Sequence, residues 1–374
     1  MTETVRKKLA VGLFIISGIC LAAGLYLGRN LYMPSGSSYT VPIINVHEHI
    51  QSTSQADTLL AAMDSLGIEK TVLFGSSWFT ITLNPAVGFT RYDWNNEELL
   101  KVVEQHPGRF EAWPTINPTD PDKLDKFKSL VERGATGLKL YLGHGYKNPR
   151  TGEYLFHEVA MDDPGMLPVY EYCEKNFLPI CFHVNPGPLT PGFAEEFIAV
   201  LDAFPDLKIN CPHFMLSSIR DSRLREFLDT YPNLYTDVSF GHDDFLIAGL
   251  KRISRSPTKF RRIFADYPDR FMFGTDLVIT AAPSKNAQWI SVRIKAYIDM
   301  RTKHTYTTPL IPGEQMRGLA LPRSILNKVF RENYIHFMAK RPVGTKITRH
   351  VDWSKMGIEP TGRKPGVASK PPSD

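Results

Sequence analysis

Short apolar, β-branched runs bounded by turn residues recur along the chain. They are PIINV from residue 42, KTVLFG from 70, RFEAW from 109, TGLKLYL from 136, LPICFHV from 178, LKINC from 207, LYTDV from 234 and RFMFGT from 270. Successive runs start 27 to 42 residues apart. That leaves room for one helix and two short loops, which a parallel crossover requires. Helical patterns fall in the gaps. ADTLLAAMDSLG (56–67) has apolar residues three and four apart and stops at a glycine; NNEELLKVVEQHPG (95–108) opens on Asn and acids and stops at Pro-Gly. AEEFIAVLDAF (194–204), SRLREFLDTY (222–231), SKNAQWISVRIKAYIDM (284–300) and PRSILNKVFRENYIHFM (322–338) read the same way. Eight strands alternating with helices predict an α/β fold, a (β/α)8 TIM barrel over residues 41–341. The alternative is an open, doubly wound sheet. It would carry a glycine-rich phosphate loop after the first strand, where this chain has His47, Glu48 and His49.

The two ends differ from the body. Leu9 to Leu27 is an uncharged, mostly apolar run of 19 residues, long enough to cross a hydrocarbon core as a helix. Residues 1–28 are therefore expected to form a transmembrane anchor, residues 29–40 a linker, and residues 342–374 an irregular tail. Arg6, Lys7 and Lys8 precede the apolar run and only Arg29 follows closely. That bias places the N-terminus in the cytoplasm and the barrel on the opposite, periplasmic or extracytoplasmic, side. The competing expectation is a signal peptide cleaved near Ala22 and Ala23, giving a secreted barrel. Against it, the run is longer than a usual signal core, and the bulky Leu25, Tyr26 and Leu27 follow the alanines.

With 43% hydrophobic and 22% charged residues, a disordered chain is excluded. The net charge of +5 divides into +3 over residues 1–40, +4 over 341–374 and −2 over the body. The body thus lacks the basic excess of a nucleic-acid binder. Cys20, Cys173, Cys181 and Cys211 form no CxxC pair, which argues against a disulfide framework or a thiolate zinc site. Cys181 and Cys211, each two residues before a histidine, are expected to share its inward face.

In this fold, chemistry gathers where strands end at their C-terminal edge. His47 and His49 end the first strand, and their spacing puts both on one face. His183 ends the fifth strand, His213 the sixth and Asp276 the eighth; Lys139 lies within the fourth. Imidazoles with one carboxylate suit Zn²⁺ first, then Mn²⁺ or Fe²⁺. A catalytic site of this kind leaves a position for water, whose pKa falls to about 7. Trp78, Phe79, Tyr141, His144, Asn185, His242, Asp243 and Asp244 follow strand ends and are read as cleft residues or as ordinary rim.

His-Glu-His after the first strand, His183, His213 in CPHF and Asp276 in FGTD together resemble the amidohydrolase superfamily. The branch is that of the amidohydrolase-related (amidohydrolase 2) metal-dependent hydrolases, and the resemblance covers about residues 43–340. It implies one divalent metal, zinc first, held by His47, His49, His183 and Asp276. His213 is the implied acid/base histidine, and Asp276 a ligand, a proton acceptor or both. Binuclear relatives carry a carboxylated lysine on strand 4, where Lys139 stands. The expectation here is one metal, with Lys139 uncarboxylated and contacting substrate beside Tyr141. The expected function is hydrolysis of an ester, lactone or amide bond in a small molecule. One alternative is nonoxidative decarboxylation of an aromatic or unsaturated acid, with Arg91, Lys147 or Arg150 as the cation for its carboxylate. Another is a catalytically inactive, membrane-tethered binding module. The expected partners are a small-molecule substrate and a lipid bilayer at residues 9–27, with no nucleic acid; homo-oligomerisation is left open.

Overall fold

The computed structural model describes residues 41–142, 159–184, 186–187, 191–215, 221–339 and 344–366. The expected membrane anchor and linker lie outside the described residues, as do Cys20, His144, Lys147, Arg150 and Asn185. Among the described residues, no helix is long and apolar enough to cross a membrane.

Each of the eight apolar runs contains a strand: β1 Ile43–Ile50, β2 Ile68–Phe74, β3 Phe110–Trp113, β4 Leu138–Leu140, β5 Ile180–Phe182, β6 Ile209–Asn210, β7 Leu234–Asp237 and β8 Phe271–Met272. β1 to β3 form one parallel arc and β4 to β8 another. The arcs meet on both sides, through a parallel bridge between Thr115 and Lys139 and a 2.8 Å bond from the Val46 N–H to the Phe273 carbonyl. A short strand, β9 Leu277–Ile279, follows β8 and pairs with the end of β1. This is an α/β fold of parallel sheets consistent with a TIM barrel.

Helices α1 Ala56–Leu66, α2 Trp78–Thr82, α3 Tyr92–Gln105, α4 Lys123–Glu132, α5 Leu167–Lys175 and α6 Pro191–Ala203 lie in the first half. The second half has α7 Asp221–Thr230, α8 Asp243–Arg255, α9 Pro257–Asp266, α10 Ala287–Thr302, α11 Arg323–Asn327 and α12 Asn333–Met338. A π-helical turn, Lys328–Glu332, joins the last two. α1 ends where the periodicity predicts, because Gly67 takes a left-handed conformation (φ 71°) and its N–H caps the Met63 carbonyl.

Two apolar layers hold the barrel. Leu59, Phe127, Phe197 and Phe227 from the helices meet Leu73, Phe182 and Phe271 from the strands in the outer layer. Inside, Ile44, Val46, Val72, Phe74, Trp113, Cys181 and Met272 pack with Tyr334 and Phe337 of α12. The Trp113 ring sits 5.3 Å from Phe74 and 6.1 Å from Phe337, centroid to centroid. Gly137 makes room for it, since a Cβ there would lie 2.5 Å from the indole. Gly137→Ala should therefore cost about 1–3 kcal/mol of stability through overpacking, read from the urea midpoint. An unchanged midpoint would show that the indole can move aside.

The C-terminal segment is fixed to the barrel's outside. Thr345 N–H bonds Asp206 Oδ1 at 2.7 Å, and Arg349 pairs with the buried Glu226 of α7. α13 Trp353–Met356 lies against the same helix, where Ser222 Oγ donates to the Lys355 carbonyl. Arg363 grips the buried Asp162 through both terminal nitrogens, at 2.7 and 2.8 Å.

Candidate metal centre

A register shift in β1 between Asn45 and Glu48 positions the first histidine. It breaks the strict alternation of side chains, so that Val46 and His47 both reach the barrel interior. His47 packs on the Phe74 ring at 4.6 Å. Glu48 turns the other way, is fully buried, and ties β1 to the chain that carries Asp276. It accepts hydrogen bonds from Asn45 Nδ2 (2.7 Å), Leu277 N (2.6 Å) and Thr275 Oγ1. Burial pushes the Glu48 carboxyl up to about 8, and those bonds only partly offset it. Asp276 itself takes a left-handed conformation (φ 57°), with its N–H on the His47 carbonyl at 2.7 Å. Gly274 permits the close approach, because a Cβ there would lie 2.9 Å from the His47 Cβ and 3.0 Å from Asp237 Cγ.

The Asp276 carboxylate is the meeting point. Oδ1 lies 3.0 Å from His47 Nε2 and 3.1 Å from His49 Nε2, and Oδ2 lies 3.6 Å from His213 Nε2. His47, His49 and Asp276 offer ligand atoms all within 4.8 Å of one another and could hold a metal ion. Ligands bound at roughly 2.0–2.2 Å in a tetrahedron stand about 3.3 Å apart, close to the spacings seen. The far sides of the rings are held by oxygens. His47 Nδ1 meets Asp237 Oδ2 at 2.9 Å. His49 Nδ1 meets Ser76 Oγ at 2.8 Å; that hydroxyl donates to the Phe74 carbonyl and so accepts from the imidazole. His213 Nδ1 lies 3.1 Å from the Ser239 carbonyl, which can only accept, and 2.9 Å from Ser239 Oγ. With the Nδ1 atoms donating outward, neutral rings turn bare Nε2 atoms toward one carboxylate.

Those residues fit a divalent cation. The buried His47 Nε2 has no well-aligned hydrogen-bond partner, although Asp276 Oδ1 is near. Burial opposes a charge on His47, yet Asp276 and Asp237 outweigh it and raise its pKa to about 9. The pocket thus demands positive charge even at a desolvated ring. Burial lowers His49 to about 4 against the pull of Asp276, and also lowers His213. Burial alone would raise Asp276 and Asp237. The adjoining histidines hold both ionised instead, with Asp276 well below the ordinary carboxylate range.

The other residues singled out in the sequence fall into three groups. His183 stands beside the cluster but outside the three ligand atoms, its ring centroid 5.1 Å from His213 and 6.3 Å from Tyr141. Lys139 is fully buried, with Nζ 3.4 Å from Cys181 Sγ and over the rings of Phe74 (4.9 Å) and Tyr141 (5.1 Å). No carboxylate lies within 4 Å of it among the described residues. Tyr141 donates to the Gly75 carbonyl at 2.8 Å and packs near Phe79. Arg91 lies over Trp78, Arg293 holds Asp243, and His242 is exposed beside Asp244; these stand at the rim.

Cys211 corrects an expectation. Cys181 faces the interior, but Cys211 belongs to the outer layer, and Asn210 is the residue turned inward, 3.1 Å from Asp237 Oδ2. The alternation fails because β6 ends at Asn210 and His213, Phe214 and Met215 all adopt positive φ. Cys173, Cys181 and Cys211 are free thiols.

Asp237, Ser239 and Ser76 escaped the sequence reading. Asp237 ends β7, within the seventh apolar run, so the strand-end rule applied to the histidines would have found it. Ser76 and Ser239 carry no signal beyond following a strand.

The sequence profile of the Amidohydrolase family (Amidohydro_2) matches residues 44–333. The chain belongs to this family. Among solved structures it is similar to 5-carboxyvanillate decarboxylase LigW from Sphingomonas paucimobilis, at 16% identity over 79% of this chain and 98% of that one, TM-score 0.50. It is also similar to a Staphylococcus aureus protein described as an amidohydrolase, at 13% identity over 80% of this chain and 99% of that one, TM-score 0.50. A third is 2,6-dihydroxybenzoate decarboxylase from Rhizobium, at 17% identity over 79% and 98%, TM-score 0.49. At such identities the likeness is one of fold. No curated protein matches the chain.

Proposed function

We propose that this amidohydrolase is a metal-dependent hydrolase that cleaves an ester, lactone or amide bond of a small molecule, with one divalent ion, zinc first, at His47, His49 and Asp276. The convergence of three histidine Nε2 atoms on the Asp276 carboxylate carries this reading. His183, which follows β5, would complete the ligand set. A bound divalent ion would acidify a water molecule and polarise the scissile carbonyl. His213 Nε2 takes a proton from the attacking water and returns it to the leaving group, a role that needs a neutral ring. Its burial favours that form. Asp276 Oδ2 orients the same proton. Lys139, a cation with only a thiol for a hydrogen-bond partner among the described residues, holds a carboxylate or carbonyl of the substrate. Tyr141 frames that side of the cleft.

The test is metal analysis of the purified full chain, followed by hydrolysis of a panel of esters, lactones and amides. Release of carbon dioxide from an aromatic or unsaturated acid, without hydrolysis, would replace this reading with decarboxylation, for which Lys139 would hold the carboxylate. A chain that binds no metal and turns over nothing would be a binding module. His213→Ala should keep bound metal within about threefold while lowering turnover roughly 10²–10⁴-fold, the usual contribution of a positioned acid/base. If His213→Ala strips the metal, His213 belongs among the ligands.

A further inference from the structure

Asp237 lies at the end of β7, outside the proposed ligand set, yet it is fully buried and every neighbour it bonds is a donor. Oδ2 receives His47 Nδ1 at 2.9 Å and Asn210 Nδ2 at 3.1 Å. Oδ1 receives the backbone N–H of Ser239 at 3.0 Å, that of His213 at 3.3 Å, and the Ser239 hydroxyl. That hydroxyl in turn lies 2.9 Å from His213 Nδ1. One carboxylate therefore holds both the first ligand histidine and the turn that carries the acid/base histidine.

We propose that Asp237 is a positioning residue that keeps the proton of His47 on Nδ1 and so leaves Nε2 bare for the ion. This rests on the metal-dependent reading above. The two oxygens are not equivalent. Backbone N–H groups on the Oδ1 side cannot turn away, whereas on the Oδ2 side the His47 imidazole can move its proton and the Asn210 amide can turn over to present its unpartnered Oδ1. In Asp237→Asn, the amide oxygen must therefore face Ser239 and His213, and the amide NH₂ must face His47. A donor aimed at Nδ1 makes Nδ1 the acceptor and drives the proton to Nε2, toward Asp276 Oδ1 at 3.0 Å. The ring then blocks the site it should line. The variant is almost isosteric, so its effect travels through the proton and not through packing.

Zinc affinity, measured on the full chain by chelator competition, should fall roughly 10–100-fold in Asp237→Asn. In a His47→Ala background, the same change should cost less than about threefold, because its target is gone. Spectra of the zinc-loaded wild type, labelled with ¹⁵N-histidine, should show His47 protonated at Nδ1, and that signal should be lost in Asp237→Asn. Equal losses in the two backgrounds would make Asp237 a structural residue only and overturn the inference. So would zinc affinity within about twofold of wild type. A wild-type chain that takes up no zinc would overturn both this inference and the metal-dependent reading. Zinc held equally by wild type and Asp237→Asn would overturn this inference alone. If Asp237→Asn fails to fold, Ser239→Ala gives the complementary arm. It removes a hydroxyl that lies 2.9 Å from His213 Nδ1 and 3.3 Å from His47 Nδ1, but leaves the shorter Asp237–His47 bond at 2.9 Å, so zinc affinity should stay within about threefold. A larger loss would mean that Asp237 does not act through His47.

Discussion

Asp276→Asn should lower divalent-metal affinity by about 10³-fold or more and abolish turnover, and His47→Ala and His49→Ala should do the same. The loss of several kcal/mol of charge stabilisation corresponds to that factor. Asp276 is the most informative of the three, because its two oxygens face three imidazoles at 3.0, 3.1 and 3.6 Å. Asn keeps the side-chain shape and tolerates the left-handed backbone at this position (φ 57°). The expected loss therefore isolates the charge. Equilibrium dialysis against Zn²⁺, with total metal counted per chain, gives the reading. Stoichiometric metal in Asp276→Asn would place the ion elsewhere in the barrel. Two tightly held ions in the wild type would move His213 to the ligands and call for carboxylation of Lys139.

Trp113→Ala should destabilise the fold by about 3–5 kcal/mol, the range for deleting a buried aromatic side chain. The indole fills the barrel between Phe74 and Phe337, and Gly137 lacks a side chain that could close the gap. Phe74 also supports the His47 ring from 4.6 Å, so loss of the indole loosens the floor beneath the metal centre. Equilibrium urea unfolding measures the cost. A change under about 1 kcal/mol would mean that α12 moves up to refill the interior.

The histidine positions were legible because strand-end chemistry obeys a simple rule: His47, His49, His213 and Asp276 each follow an apolar run, and the fold brings such ends together. Lys139 was legible as a residue of the fourth strand, but which way it points waited on the register that pairs it with Cys181. Cys211 was misplaced because strict alternation was carried past the end of β6, where three consecutive residues turn left-handed. No local pattern announces that turn; Asp237 binds the His213 and Ser239 N–H groups there, and Asp237 arrives from the next strand.

The sequence by itself determined the alternation of strands and helices, and with it the parallel barrel. Hydrophobic periodicity and turn residues act over a few neighbours and need no distant partner. It also determined which side chains could meet at the barrel's C-terminal edge. Only the tertiary structure decided how they meet. A shift in the β1 register turns His47 inward, Glu48 clamps the chain before Asp276, and buried oxygens from Asp237, Ser76 and Ser239 set where each histidine keeps its proton. Those oxygens lie 26 to 190 residues from the rings they hold. A hydrogen bond depends on the geometry of the pair and not on their spacing along the chain.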